Sequence, residues 1–184
     1  MESLDKNWYF AFGDASSPAR DFGNATEYFT YLTKAASVHN KGPYTLLYDM
    51  DADSSRWSRV DLPHDWVVDL PFDSTASHSH GYKTVGWQWP ETSVGWYRKV
   101  FPVGIEDEGR HIYLQLDGVH RDSKVWLNGF YLGGEPSGYA TRTYDITDYI
   151  NYGGDNLLCV RADASVEEGW FYEGAGIYRH VWLV

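Results

Sequence analysis

Short runs of alternating apolar and polar residues constrain the fold of this chain most strongly. In the run 111–116, the side chains of Ile112, Leu114 and Leu116 fall on one predicted face, and the residues between them fall on the other. A period of two residues is the pattern of a half-buried β-strand. The segment is therefore predicted to be a strand, and Gly118 follows shortly after it as a turn signal.

A β-hairpin is predicted directly after this strand. The run 123–127 leads into Asn128-Gly129, and 130–132 can return as the partner strand. Asn-Gly adopts the positive φ angles of a type I′ turn, which joins neighbouring antiparallel strands. We expect Gly133-Gly134 to break the second strand of the hairpin.

Further extended segments are indicated by apolar runs between turn residues. They are 7–12, 142–147, 156–162 and 177–184, and in the last of them Ile177, Val181 and Leu183 share a face. Short strands at this spacing are typical of β-sandwiches. The predicted fold is all-β, an antiparallel jelly-roll sandwich, with a short helical or irregular insertion near residues 26–44, where the alternation is weak.

Charge and length exclude several classes of protein. The 184 residues suit one domain, and 15 basic against 26 acidic residues give a net charge of −11. Nucleic acids and anionic membranes attract basic surfaces, so neither is an expected partner. Aromatic residues make up 17% of the chain, which fits either a β-rich core or a surface on which rings pack against sugars.

Few motifs for metal or covalent chemistry are present. Cys159 lies in an apolar run, so we expect a buried, inert thiol. His78 and His80 would share a face on a strand, but no third ligand stands at metal-site spacing, and a polar loop near substrate is the preferred interpretation. No metal and no cofactor are expected.

The segment 169–176 is the most informative stretch for function. Three aromatic residues and Glu173 lie between glycines, a pattern that disfavours a regular strand. Either the aromatic side chains fix the loop by burial, or they form a rim for sugar hydroxyls. The nearby acids Asp163, Glu167 and Glu168 do not by themselves make the facing carboxylate pair that glycoside hydrolysis needs, so no catalytic residue is predicted in this chain.

Five sequence blocks resemble family 2 glycoside hydrolases and occur in the order that the family has. They are Leu62-Pro63-His64-Asp65-Trp66, Gly95-Trp96-Tyr97-Arg98-Lys99, Val125-Trp126-Leu127-Asn128-Gly129 with Gly138-Tyr139 after it, Asp145-Ile146-Thr147 and Gly174-Ala175-Gly176-Ile177-Tyr178-Arg179. The resemblance covers most of the chain from Leu62 onward. For His64, Asp65 and Trp66 we expect a structural role, with hydrogen bonds to neighbouring backbone and the indole packed beneath.

The resemblance implies a galactose-binding-like sandwich at the N-terminus of a retaining exo-glycosidase, most similar to β-galactosidases. It places residues 1–184 in a single domain, followed by an immunoglobulin-like domain and a TIM barrel that carries both catalytic glutamates. The apolar ending at 182–184 fits such a fragment. The partners implied are the terminal β-linked sugar of an oligo- or polysaccharide and these downstream domains. The substrate-binding residues implied are Asp163, Trp170, Tyr172 and Glu173.

Three alternatives remain open at this point. The chain could be an autonomous carbohydrate-binding module, a purely structural docking domain, or the same domain from an enzyme specific for β-glucuronides or β-mannosides. The start, 1–6, contains no apolar signal-peptide segment. Localisation is therefore open, and the resemblance favours a periplasmic or secreted enzyme.

Overall fold

Two antiparallel β-sheets build the domain. The computed structural model describes residues 1–25, 54–166, 169 and 172–184. Within these residues the strands are β1 Glu2–Ser3, β2 Trp8–Phe12, β3 Ser58–Val60, β4 Val94–Val103, β5 Tyr113–Leu116, β6 Ser123–Leu127, β7 Phe130–Glu135, β8 Arg142–Asp145, β9 Gly154–Asp163 and β10 Val181–Leu183. Short 3-10 helices occupy Ser54–Arg56, Trp66–Asp69, His78–His80, Ile105–Asp107 and Thr147–Tyr149.

The strand order agrees with a sandwich. One sheet runs β1-β10-β5-β8 and the other runs β3-β2-β4-β9-β6-β7. The long central pair β4 and β9 is in register from Val94 opposite Asp163 to Val103 opposite Gly154. This all-β architecture confirms the predicted fold class. The predicted insertion at 26–44 lies outside the described residues.

The main core lies between the two sheets. Phe10, Tyr97, Val160 and Val125 stand side by side across four strands of the larger sheet, and all four are buried. From the smaller sheet Leu114, Leu116 and Val181 belong to the same apolar cluster. The alternation predicted for 111–116 is confirmed, since Ile112, Leu114 and Leu116 are buried, whereas Tyr113 and Gln115 between them are half-buried.

The other face of the larger sheet is also buried around its centre. Trp96 and Trp126 stack there at a centroid distance of 5.4 Å, and Cys159 packs with them at 1% exposure. Burial raises the pKa of the Cys159 thiol to about 11, so it stays protonated near neutral pH. The prediction of a buried, inert cysteine is confirmed.

The predicted hairpin forms, but its second strand is longer than predicted. Asn128 and Gly129 have φ angles of 50° and 88°, and Leu127 pairs with Phe130. The expected break at Gly133-Gly134 is wrong, because β7 continues to Glu135. A bulge between Val125 and Trp126 shifts the register, and Gly133 takes up the change at φ 146°.

Two other predicted strands are shorter than expected. The run 142–147 leaves the sheet after Asp145, whose carboxylate accepts hydrogen bonds from both the backbone N–H and the hydroxyl of Thr147. The run 177–184 forms a strand only at Val181–Leu183, while Ile177 is buried outside it. The hydrogen bonds to the Asp145 side chain therefore end the strand of the run 142–147 locally.

No helix in the described part of the chain is long and apolar enough to cross a membrane.

Candidate functional site

The His64-Asp65-Trp66 block holds the loop that precedes β10. The backbone N–H of His64 donates to the carbonyl of Ile177 at 2.8 Å, and that of Trp66 donates to Ala175 at 3.2 Å. The Trp66 indole is 2% exposed and donates to the carbonyl of Thr92 at 2.9 Å. The prediction is confirmed for Asp65 and Trp66, whereas Nδ1 of His64 lies 2.8 Å from the hydroxyl of Tyr97, a side chain and not backbone.

Asp65 is the centre of the hydrogen bonding in this region. Its Oδ1 accepts from the backbone N–H groups of Val67, at 3.0 Å, and Ala175, at 2.9 Å. Its Oδ2 accepts from the phenol of Tyr172 at 2.8 Å. Burial and the neighbouring Asp65 carboxylate raise the pKa of Tyr172, so the phenol is a stable donor. Asp65 therefore fixes both the backbone and one aromatic ring of the loop.

Glu173 is held by its backbone from one side. Its N–H donates to the carbonyl of Ser79 at 2.6 Å, and its carbonyl lies 2.8 Å from Nδ1 of His80. A carbonyl only accepts, so Nδ1 of His80 is the donor. The hydroxyl of Ser79 also donates to the carbonyl of Gly169 at 2.5 Å. The segment Ser79-His80 thus clamps the loop at two points.

His78 and His80 do not lie on a strand, as a pair of metal ligands on one strand face would require. His78–His80 forms a 3-10 helix, so the two imidazoles do not share a strand face. His80 is fully buried and binds the backbone of Glu173. Across the described residues, no group of three or more His, Cys, Asp or Glu side chains is placed to hold a metal ion.

The Glu173 carboxylate points toward a buried histidine. The side chain is 7% exposed, and Oε2 accepts from the backbone N–H of Gly169 at 3.1 Å. Oε1 lies 3.9 Å from Nε2 of His120, which is itself 5% exposed. At that distance the two groups interact electrostatically without a direct hydrogen bond.

Asp163 ends β9 in a network of its own. Its Oδ1 accepts from the backbone N–H and the hydroxyl of Ser165, at 3.0 and 2.6 Å, and Oδ2 lies 3.1 Å from the Arg161 guanidinium. Arg161 also pairs with Asp21 at 2.9 Å. The Asp163 side chain remains 17% exposed, so part of its surface is open to a ligand.

An open cleft of about 250 Å³ lies beside Glu173. Its lining consists of His120, Arg121, Pro136, Ser137, Gly138, Tyr139 and Glu173. The backbone N–H of Asp163 donates to the carbonyl of Arg121 at 2.8 Å, so Asp163 lies next to this segment without lining the cleft.

The predicted site residues divide into two groups. Glu173 and Asp163 both lie next to the 120–121 segment, whereas the Tyr172 hydroxyl donates to Asp65. Trp170 lies outside the described residues. The sequence reasoning missed His120 and Arg121, which carry no motif, and it used Tyr139 only as part of a family block.

Two histidines of this region, the half-buried His64 and the buried His120, have lowered pKa values. Burial lowers the pKa of His64 and of His120, and the neighbouring carboxylates, Asp65 for the first and Glu173 for the second, oppose the shift. A histidine that is harder to protonate in the folded state binds fewer protons than in the unfolded state at pH values below its ordinary pKa of 6.5. Folding stability that these groups provide is therefore present above pH 6.5 and is lost as the pH falls below it.

We expect the urea midpoint of the chain to fall as the pH drops from neutrality through 6.5. The variants His64→Gln and His120→Gln should show a shallower fall than the parent chain, because each removes one group that must take up a proton on unfolding. His111→Gln is the matched control, since the His111 side chain is 77% exposed. Equal slopes in the parent chain and both buried-site variants would contradict this assignment.

Comparison with known proteins decides the family. The model of the glycosyl hydrolase 2 galactose-binding domain-like family matches residues 48–176, which is more than half of the chain. The chain belongs to this family. The family 2 domain is 41% identical over 128 residues to the β-galactosidase BoGH2A of Bacteroides ovatus, and 35% identical over 133 residues to a putative β-glucuronidase of Formosa agariphila.

The matched region is a small part of each relative. The match to the Bacteroides ovatus protein covers 69% of this chain and 14% of that protein. The match to the Formosa agariphila protein covers 72% of this chain and 12% of that protein. Among solved structures, a glycosyl hydrolase family 2 member from Bacteroides cellulosilyticus superposes with a TM-score of 0.73 at 27% identity, over 99% of this chain and 20% of that one. A β-glycosidase from Bacteroides vulgatus gives a TM-score of 0.71 at 27% identity, with the same coverage. The chain is thus an N-terminal domain of family 2 glycosidase type.

Proposed function

We propose that this chain is the sugar-binding N-terminal domain of a retaining exo-glycosidase, a β-galactosidase, whose catalytic glutamates lie on a downstream barrel. In this proposal the domain packs against the barrel and supplies one wall of the subsite for the terminal sugar. Asp163 and Glu173 accept hydrogen bonds from sugar hydroxyls, while Trp170 and Tyr172 shape the wall.

The observation that carries the proposal is the placement of Glu173. Its carboxylate is 7% exposed, lies at the edge of a cleft, and is fixed through its backbone by Ser79 and His80. A preorganised acceptor of this kind loses little conformational entropy when a hydroxyl binds. Hydrogen bonds far from the reacting bond still lower the barrier if they strengthen in the transition state.

The test is hydrolysis of nitrophenyl β-galactoside by a longer protein that carries this domain, beside the 184-residue chain alone. We expect turnover by the longer protein and none by the chain. Turnover by the chain alone would contradict the absence of catalytic residues, and the acids between Asp163 and Glu173 would then be the candidates.

The variant Asp163→Ala separates a substrate role from a structural one. We expect kcat/KM of the longer protein to fall while the protein stays folded, although its unfolding midpoint also drops, because Asp163 pairs with the buried Arg161 at 3.1 Å and accepts two hydrogen bonds from Ser165. Activity that persists at the parent level would favour a docking domain without substrate contacts. Ser165→Ala is the matched control, since it removes one hydrogen bond to Asp163 and keeps the carboxylate.

A second specificity is supported by one observation. Relatives at 35% identity and below include proteins named as β-glucuronidases. The same assay with nitrophenyl β-glucuronide distinguishes the two, and a higher kcat/KM for the glucuronide would replace β-galactosidase in the proposal.

A further inference from the structure

The hairpin turn Asn128-Gly129 is chemically as well as conformationally unusual. Among the asparagines of the chain, Asn128 is the one that a glycine follows. The backbone nitrogen of the next residue can attack the side-chain amide carbon of an asparagine, and glycine, which has no Cβ, hinders this attack least. Asn128 is therefore the asparagine of this chain that is most prone to deamidation.

The deamidation reaction needs no reagent other than water. The nitrogen of Gly129 forms a bond to Cγ of Asn128, the bond from Cγ to the side-chain nitrogen breaks, and ammonia leaves with the proton of the Gly129 amide. Water then opens the resulting succinimide ring at either of its carbonyl groups. The product is aspartate or isoaspartate, and each carries a carboxyl group in place of the amide.

In the folded chain, the Asn128 side chain is held by three hydrogen bonds. Its Nδ2 donates to the carbonyl of Tyr149 at 2.7 Å and to Oδ1 of Asn156 at 2.8 Å. Its Oδ1 accepts from the backbone N–H of Leu157 at 2.9 Å, and the residue is 9% exposed. Ring closure requires Cγ to reach the nitrogen of Gly129, and a movement that breaks these hydrogen bonds leaves buried polar groups without partners. Folding therefore opposes the reaction.

The product does not fit the place of the amide. A carboxylate at position 128 only accepts hydrogen bonds, so one of its oxygens would face the Tyr149 carbonyl and Oδ1 of Asn156. The Asn156 amide cannot turn over without loss, because its Nδ2 donates to the carbonyls of Asn151 and Gly154 at 3.2 and 3.3 Å. Its Oδ1 also accepts from the backbone N–H of Asn151 at 2.7 Å. An isoaspartate would in addition lengthen the backbone of the turn.

We propose that Asn128 is a modification site that folding protects: it deamidates when the chain unfolds, and the product then prevents the return to the native hairpin. Chemical change of the unfolded chain makes unfolding irreversible, so the lifetime of a protein depends on how often it unfolds. This site goes beyond the proposed function, because no sugar and no other domain takes part in the reaction.

The experiment incubates the 184-residue chain in mildly alkaline buffer, once folded and once unfolded in guanidinium chloride, and follows the tryptic peptide 125–142 by mass spectrometry. This peptide contains no other asparagine and no glutamine, so a carboxyl group in place of an amide is assigned to Asn128. We expect modification to be at least about a hundredfold slower in the folded chain, because a stable domain is unfolded for only about 10⁻³ to 10⁻⁶ of the time. Peptide 143–161, in which bulkier residues follow Asn151 and Asn156, is the internal control and should change far less.

Two variants separate the chemistry from the loss of hydrogen bonds. Asn128→Asp supplies the product directly, and we expect its urea midpoint to lie below that of the parent chain. Asn128→Gly also lacks the side-chain hydrogen bonds, but glycine tolerates the φ angle of 50° at this position and cannot deamidate. Asn7→Gly is the matched control, because it replaces an exposed asparagine with a φ angle of 61° and leaves Asn128 in place.

Repeated heating and cooling then measures the effect on refolding. We expect the parent chain and Asn7→Gly to regain less native tryptophan fluorescence in each cycle, in step with conversion of peptide 125–142. Asn128→Gly should unfold at a lower temperature and yet lose less of its fluorescence per cycle.

Three results would overturn the inference. They are equal rates of modification at Asn128 in the folded and the unfolded chain, a urea midpoint of Asn128→Asp equal to that of the parent, and an equal loss of refolding in Asn128→Gly and the parent. None of these measurements involves a sugar or hydrolysis by the longer protein. The deamidation site and the proposed function therefore stand or fall separately.

Discussion

Replacing Asp21 with alanine is expected to lower the free energy of unfolding by about 3–5 kcal/mol, because it removes one of the two carboxylates that pair with the buried Arg161 guanidinium, Asp163 being the other, and also removes an acceptor from further buried donors. Asp21 is 2% exposed, and its Oδ2 accepts from the Arg161 guanidinium at 2.9 Å. Its Oδ1 accepts from the Trp96 indole at 2.7 Å, and Asn24 donates to Oδ2 at 3.0 Å. One substitution therefore removes an acceptor that several buried donors share, the backbone N–H of Asp14 included.

Urea unfolding measures this effect, and Asp61→Ala is its control. Asp61 pairs with Lys6 at 3.0 Å, but the two side chains are 51% and 74% exposed, so solvent screens the pair and the loss of stability should be far smaller than for Asp21→Ala. The double variant Asp21→Ala with Arg161→Met should recover part of the stability, because it removes the buried guanidinium and leaves Asp163, which is 17% exposed, as the remaining charge. A loss below about 1 kcal/mol for Asp21→Ala would show that Asp163 satisfies Arg161 without Asp21.

Replacing Asp65 with alanine is expected to cost about 2–4 kcal/mol and to release the loop that carries Tyr172 and Glu173. The Asp65 carboxylate caps the 3-10 helix Trp66–Asp69 through Val67 and also accepts from Ala175 and Tyr172. The helix end and the loop lose their common acceptor together. We therefore expect faster amide exchange at Ala175 as well as a lower urea midpoint.

Two further variants separate the parts of this effect. Asp65→Asn keeps an oxygen that accepts from Val67 and Ala175, so it should retain most of the stability. Tyr172→Phe removes only the phenol donor and should cost about 0.5–1.5 kcal/mol. If Asp65→Ala cost no more than Tyr172→Phe, the backbone hydrogen bonds of Asp65 would contribute little.

The sequence predicted local strands well where a strand is buried on one face. In the run 111–116 the alternation of apolar and polar residues predicts which side chains are buried. The backbone preferences of Asn128-Gly129 predict the turn. The sequence-based prediction of a break at Gly133-Gly134 was wrong, because strand pairing with β6 outweighs the low strand propensity of glycine. The prediction of a strand at 177–180 was also wrong, because the carbonyl of Ile177 accepts a hydrogen bond from the backbone N–H of His64 and not from a neighbouring strand.

The candidate site was predictable only in part. Glu173 and Tyr172 stand in a segment whose aromatic and glycine content marks it as unusual. His120 and Tyr139 carry no such signal, because they come from two different loops and meet only after folding. Likewise, nothing in the sequence pairs Asp21 with Arg161, which are 140 residues apart.

The amino-acid sequence by itself determined the fold class, the hairpin, the buried cysteine and the family resemblance, because each depends on neighbouring residues or on short motifs. Only the tertiary structure decided which acids are buried, paired or open. Three carboxylates that the sequence does not distinguish have different roles in the structure. Asp65 accepts backbone hydrogen bonds, Asp21 pairs with an arginine, and Glu173 lines a cleft. Burial and hydrogen-bond partners set these roles, and both arise from residues distant in the chain.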